Sequence, residues 1–322
     1  GEGEHTSLEL LECLKKKSKL ENVLGITFKE KKRIISTPDR PLINDIDTLP
    51  FPDRSLLGEY HATIAGAYTA PKKFTSILSS RGCVFKCRFC GAQRLARGLW
   101  RPRSIENTME EICLLVSKGY KQFLFVDDNF TLNPKRVIKL CQRIRKEKMD
   151  IEWFCEGRVD SCSYDMLREA VKAGCRIIIL GIESANQRIL DYYNKRITVN
   201  QSRKAIKTAR KAGVDVVVGS FIIGASDETR EEIHNTFKFS LRAGVDVPNF
   251  NILGAFPGSR IWEEFKIKGI LDEDRYWETG VAVSEVSPDA VPFEEIKKIV
   301  RQYFRFFFCL PGHILTQVVK TL

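Results

Sequence analysis

Four times in this chain a charged amphipathic run ends in glycine and passes directly into an apolar run. The junctions are Lys118-Gly119-Tyr120, Ala173-Gly174-Cys175, Ala212-Gly213-Val214 and Ala243-Gly244-Val245. Glycine just past a helix end takes the left-handed conformation that closes it. Three of the following runs, Gln122–Val126, Arg176–Leu180 and Val216–Ile223, are apolar enough to be strands buried on both faces. Such strands alternating with helices indicate a parallel sheet covered by helices. Thr75–Ser80, Glu152–Val159 and Pro248–Leu253 bring the count to six. Asn133 before Pro134, and Ser163 before another periodic run, supply helix starts in register with this scheme. The fold class is therefore α/β, a partial (β/α)6 TIM-like barrel. A complete eight-stranded barrel needs two more strands than the sequence offers.

In parallel βα barrels the working residues lie at the C-terminal ends of the strands. Polar residues gather there: Asp127, Asp128 and Asn129 after strand two, Glu156 and Arg158 late in strand three, and Glu183 and Ser184 after strand four. Ser220 and Gly224 mark strand five, followed by Asp227 and Glu228. For any single one of these, helix capping or loop solvation explains its presence as well as function does. Their recurrence at one end of successive strands is harder to explain so.

Strand one leads into Cys83-Val84-Phe85-Lys86-Cys87-Arg88-Phe89-Cys90. Three cysteines in so tight a loop can turn their sulfurs together, where thiolates hold an iron–sulfur cluster. The next cysteine, Cys113, lies in a segment that reads as helix. Three protein ligands on a four-iron cluster leave one iron open, and an open position separates a reactive metal site from a closed structural one. A zinc loop and a ferredoxin-type carrier are the competing readings. The first wants four ligands in Cys-x2-Cys pairs, and the second wants a fourth cysteine and other spacing.

The CxxxCxxC spacing of Cys83, Cys87 and Cys90, with the aromatic Phe89 before the last, resembles the signature of the radical S-adenosylmethionine (SAM) superfamily. The resemblance implies a 4Fe-4S cluster on those three cysteines and SAM chelating the open iron. Asp127 and Asp128 stand where that family, usually with a glycine pair and a glutamate, binds the methionyl amino group. Glu183 in Gly181-Ile182-Glu183-Ser184 resembles the family's ribose-binding carboxylate. The stretch Ser220-x-Ile222-x-Gly224-x-x-Asp227 is similar to its GxIxGxxE adenine motif, with serine for the first glycine and aspartate for the glutamate. Glu228 offers the acid one residue later. Arg158 is a candidate partner for the SAM carboxylate, or else half of a surface ion pair. The expected cofactor contacts are thus Phe89, Asp127, Asp128, Arg158, Glu183, Ser184, Ser220, Ile222 and Asp227, and no catalytic residue is assigned.

The activity so implied is reductive cleavage of SAM for methyl transfer or radical rearrangement on a small molecule or lipid, with an electron donor such as flavodoxin or ferredoxin. An RNA-modifying methylthiotransferase and a non-enzymatic iron–sulfur electron carrier are the alternatives. The former carries three further cysteines in an N-terminal domain and a basic C-terminal module, neither of which is seen here.

Residues 37–74 are rich in proline (Pro38, Pro41, Pro50, Pro52, Pro71) and read as an ordered, extended linker. Asp45–Arg54 within it resembles the linker between a cobalamin-binding module and a radical SAM barrel. Residues 1–36, a short amphipathic helix and a small hairpin, resemble the end of such a module, most of which is then missing. The resulting divisions are 1–36, 37–74, a barrel over 75–258 and a helical extension over 259–322. Cobalamin is allowed by the resemblance but supported by no stretch of the chain: no Asp-x-His-x-x-Gly occurs, and His5, His61, His234 and His313 share no ligand spacing.

A net charge of +11 raises the question of nucleic acid, but most basic residues have acids close by and no RNA-binding motif accompanies them. Solvated helix faces are the better account, and nucleic acid is not an expected partner. No apolar run approaches the roughly 20 residues of a membrane helix, and Gly1-Glu2-Gly3-Glu4 does not open a signal peptide. Ten cysteines without such a signal fit metal binding and core packing in a reducing, cytoplasmic compartment. The aromatic cluster Tyr303–Phe308 reads as core packing under the barrel, with a membrane surface or greasy substrate as the alternative.

Overall fold

The computed structural model describes residues 2–56, 63–64, 68–69, 72–279 and 291–309. Pro71, His61, His313 and the end of the expected C-terminal extension lie outside the described residues. The chain forms two compact units, Gly1–Pro50 and Phe51–Leu322, dividing inside the expected proline-rich linker. The first holds a helix, Glu4–Lys15, and a hairpin of Thr27–Glu30 with Arg33–Ser36.

The second unit is built on six parallel strands: β1 (Phe74–Ile77), β2 (Gln122–Phe125), β3 (Glu152–Arg158), β4 (Cys175–Glu183), β5 (Val216–Ile223) and β6 (Val247–Ile252). They lie side by side in chain order, the arrangement of a partial TIM-like barrel. Helices α1 (Ile105–Ser117), α2 (Pro134–Lys146), α3 (Tyr164–Lys172), α4 (Val199–Ala212) and α5 (Arg230–Ala243) follow β1 to β5 in turn, each leading back to the next strand. Asn133 accepts the Arg136 N–H and Ser163 the Met166 N–H, so both expected caps form. All four junction glycines have positive φ. At Gly174 (φ +95°) a Cβ would stand 2.1 Å from the Ile151 carbonyl oxygen, so no other residue fits.

Because side chains alternate along a strand, each strand serves two cores. Trp153, Cys155, Ile178, Leu180, Val217 and Phe221 point outward and pack with the inner stripes of α1 to α5. Phe74, Phe154, Ile177, Val218 and Val247 form a separate inner cluster, joined by Leu124, Ile179 and Val216. β1 is tied down by Arg54 and Arg103, which share the buried Glu111 and donate to the Ser76 and Leu78 carbonyls at 2.6 and 2.9 Å. After β6 come α6 (Arg260–Ile267) and, later, α7 (Phe293–Cys309). Tyr303 stacks on Phe237 at 3.6 Å and Phe304 meets Phe250 edge-on, so this part of the C-terminal aromatic cluster packs on the barrel. No helix of the described residues is long and apolar enough to cross a membrane.

Candidate active site

The register of the sheet stacks the inner face in rows. Leu124, Phe154, Ile177 and Val216 lie abreast, followed by Glu156, Ile179, Val218 and Val247. The third row is Arg158, Gly181, Ser220 and Asn249, and Ile222 pairs with Asn251 beyond it. The inner face thus turns from apolar to polar along the strand direction. Above the apolar rows opens a cavity of about 640 Å3, within the about 300–1,000 Å3 of small-molecule sites. Ile179 and Val218 line it together with Glu156, Arg158, Glu183, Ser220, Asn249 and Asn251.

Cys83, Cys87 and Cys90 all line this same cavity. The loop carrying them has little regular structure of its own and is held by its neighbours. The Arg88 N–H donates to the Tyr193 carbonyl at 2.9 Å, Asn194 Nδ2 to the Lys86 carbonyl at 2.8 Å, and the Ile261 N–H to the Arg88 carbonyl at 3.1 Å. Entry to the loop requires Gly82 (φ +88°), where a Cβ would lie 2.1 Å from the Leu99 carbonyl oxygen. Burial pushes the Cys83 and Cys90 thiols up, with neighbouring cysteines and Asp128 adding to it and Arg158 easing it at Cys83. Among the described residues no group of three His, Cys, Asp or Glu side chains is placed to hold one metal ion.

The other expected contacts divide. Phe89, Asp128, Arg158, Glu183, Ser220 and Ile222 line the cavity. Asp128 accepts from the Gly82 N–H at 2.8 Å, joining the end of β2 to the start of the cysteine loop. Glu183 sits at a bulge ending β4, with φ +64°, and pairs with the buried Lys195 ammonium. Gly181 makes room for that pair, since a Cβ there would lie 2.8 Å from Lys195 Nζ. Glu156 carries its proton to higher pH than usual because of burial, reinforced by Glu183 and Asp128 and opposed by Lys195.

Three expected contacts lie elsewhere. Asp127 is buried behind the cavity wall, accepting from the Ser79 N–H and both the Ser79 and Ser80 hydroxyls, so its oxygens are spent on the turn after β1. Ser184 faces Thr236 of α5, 3.2 Å away, and holds the turn after β4. Asp227 points to solvent and pairs with Arg188. Its neighbour Glu228 folds back to accept from the Gly224 and Ala225 N–H groups; burial raises its pKa to about 7, against the pull of those two bonds.

Residues 77–240, about half of the chain, match the Radical SAM superfamily. The chain belongs to the radical SAM superfamily. That family uses a 4Fe-4S cluster and SAM. The chain is 36% identical to an uncharacterized methyltransferase of Pyrococcus horikoshii over 99% of its own length and 69% of the relative's. It is 29% identical to the anaerobic magnesium-protoporphyrin IX monomethyl ester cyclase of Rubrivivax gelatinosus, over 95% of this chain and 55% of that one. In structure it is similar to the radical SAM methyltransferase TsrM of Kitasatospora setae, solved with cobalamin and a [4Fe-4S] cluster bound. There the TM-score is 0.67 at 16% identity, over 83% of this chain and 53% of that one. The chain therefore spans about half the length of the cyclase and of TsrM.

Four polar residues lining the cavity of this radical SAM domain were not singled out in the sequence: Gln93, Lys195, Asn249 and Asn251. The asparagines were within reach of sequence reasoning. In Val247-Pro248-Asn249-Phe250-Asn251 every second residue faces inward, so the inner valine predicts both. Lys195 carried no such signal. It lies in the turn after a short helix, Gln187–Tyr192, and arrives at the cavity because the buried Tyr193 anchors that turn.

Proposed function

We propose that Cys83, Cys87 and Cys90 hold a 4Fe-4S cluster, and that the chain is a radical SAM domain cleaving SAM for methyl transfer or radical rearrangement on a small molecule. The observation that carries this is the meeting of the three thiols with the polar rows of β3 to β6 in one cavity. When bound, the cluster supplies the electron that splits SAM into methionine and a 5′-deoxyadenosyl radical. The chain's own part is binding, orientation and exclusion of water. Asp128, beside the cysteine loop, suits the methionyl ammonium as an acceptor. Glu183, steadied by Lys195, suits the ribose hydroxyls, and Phe89 and Ile222 supply apolar walls. Ser220, Asn249 and Asn251 offer neutral hydrogen-bonding groups opposite the cysteines, suited to a neutral polar ligand.

Cobalamin enters this proposal through TsrM, which binds it. With it, methyl transfer to an unactivated carbon becomes available. The cyclase relative, named for a small-molecule reaction, supports a small-molecule substrate; a lipid substrate, and a small electron-transfer protein such as flavodoxin or ferredoxin as reductant, belong to the same reading. On this reading 75–258 is the catalytic barrel and 259–322 its helical extension. Residues 37–74 are then a linker, and 1–36 a segment of a cobalamin-type module. Ten unpaired cysteines suit a reducing, cytoplasmic compartment. The test is anaerobic reconstitution followed by reduction in the presence of SAM. The expected products are 5′-deoxyadenosine and methionine from the wild type and neither from Cys87→Ala. Intact SAM in the presence of a loaded, reduced cluster would refute the proposal.

A further inference from the structure

Arg158 ends β3 and is almost fully buried, at 5% exposure. Nε and Nη2 each donate to an Asp160 oxygen at 3.0 Å, and Nη2 also reaches the Lys195 carbonyl at 2.7 Å. The guanidinium lies over the Phe85 ring, with Cζ 3.6 Å from its centre. The edge left over faces sulfur: Nη1 is 3.7 Å from Cys87 Sγ, within hydrogen-bond reach given sulfur's larger radius. A cation clamped on three sides cannot swing toward a ligand carboxylate without breaking a bidentate pair inside a largely desolvated site. The expected role of Arg158 as partner of the SAM carboxylate therefore gives way to another.

We propose that Arg158 is a positioning residue that holds the Cys87 thiolate through an N–H···S bond and raises the reduction potential of the cluster that Cys87 helps to hold. The inference rests on the cluster assignment proposed above. Reduction adds one negative charge to the cluster. A fixed positive charge and a donor on one ligand sulfur favour the reduced form more than the oxidised one. Burial strengthens the effect, because little water screens it. Asp160 opposes it: its carboxylate neutralises part of the guanidinium's field, and its side chain is 22% exposed against 6% for Arg158. The pair thus sets the potential by difference, which gives the two residues opposite signs.

The experiment is an EPR-monitored redox titration of the full chain, reconstituted anaerobically and kept free of SAM, with iron content measured in parallel. Arg158→Gln should move the midpoint to more negative potential and Arg158→Lys by a smaller step in the same direction. Asp160→Asn should move it to more positive potential. An unchanged midpoint in Arg158→Gln at wild-type iron content overturns the inference. Should Arg158→Gln fail to load a cluster, Asp160→Asn decides: a positive shift supports the inference, and no shift or a negative one overturns it. A wild type that loads no 4Fe-4S cluster sinks the cluster assignment itself and this inference with it, and iron content tells that outcome apart from the others.

Discussion

The lower and upper halves of the barrel's inner face share the same strands but not the same chemistry. Below, Phe154, Ile177, Val216 and Val218 fill the interior with apolar side chains. Above, two to six residues further along, β3, β4 and β5 present Glu156, Arg158, Glu183 and Ser220 to a cavity, joined by Asn249 and Asn251 beyond Val247 on β6. The strands pair in parallel through both halves, with a register shift near each end of β4. What differs is the inward side chain itself: apolar and packed on its own kind below, polar and lining open space above, where Arg158 and Glu183 already hold protein partners. Stability is concentrated in one half, and the groups free to meet a ligand in the other.

The comparison can be broken most decisively at the top of β1. Cys87→Ala should abolish the cluster's visible absorbance after anaerobic reconstitution, while changing the unfolding free energy of the metal-free protein by only about 1 kcal/mol. In the lower half the pattern reverses. Phe154 is fully buried, and Phe154→Ala should cost about 3–5 kcal/mol in chemical denaturation. A cost below about 1 kcal/mol would show that the lower rows are not the structural half.

Glu228 sharpens the boundary between the halves, being at the upper end yet turned into the protein. Its pKa is raised from 4.5 to about 7, chiefly by burial. The folded state therefore binds this proton more tightly than the unfolded one. The contribution to stability is fully present below about pH 4.5 and is lost as the pH rises through about 7, up to about 3 kcal/mol in all. Glu228→Gln should flatten that slope in urea titrations run across pH 4.5 to 7. An unaltered slope would assign it to other groups. The smallest effect belongs to the cavity lining. Asn249→Ala should shift unfolding by no more than about 0.5 kcal/mol, and a loss as large as that of Phe154→Ala would erase the distinction between the halves.

Much of this division is legible in the amino-acid sequence. Helix-terminating glycines fixed the βα repeat, since the left-handed conformation they supply is a local property. The cysteine loop was equally plain, because its ligands are near neighbours in sequence. Placement at the strand ends was harder. Asp127 and Asp128 are adjacent, yet one is spent on the Ser79–Ser80 turn and the other faces the cavity. Nothing local distinguishes them, because their orientation depends on the turn they pack against. Asp227 and Glu228 part for a similar reason: the chain turns at Gly224, and Glu228 reaches back to its N–H while Asp227 meets Arg188 at the surface. Lys195 is set by tertiary docking of its turn onto the cysteine loop.

The central claim is that three thiolates from one loop leave one iron free for SAM. EPR of the reduced, reconstituted protein, recorded with and without SAM, tests it most directly. The account predicts a 4Fe-4S signal whose g values shift when SAM is added to the wild type, because SAM ligates the cluster. A signal indifferent to SAM, or protein that takes up zinc in place of iron, would contradict it.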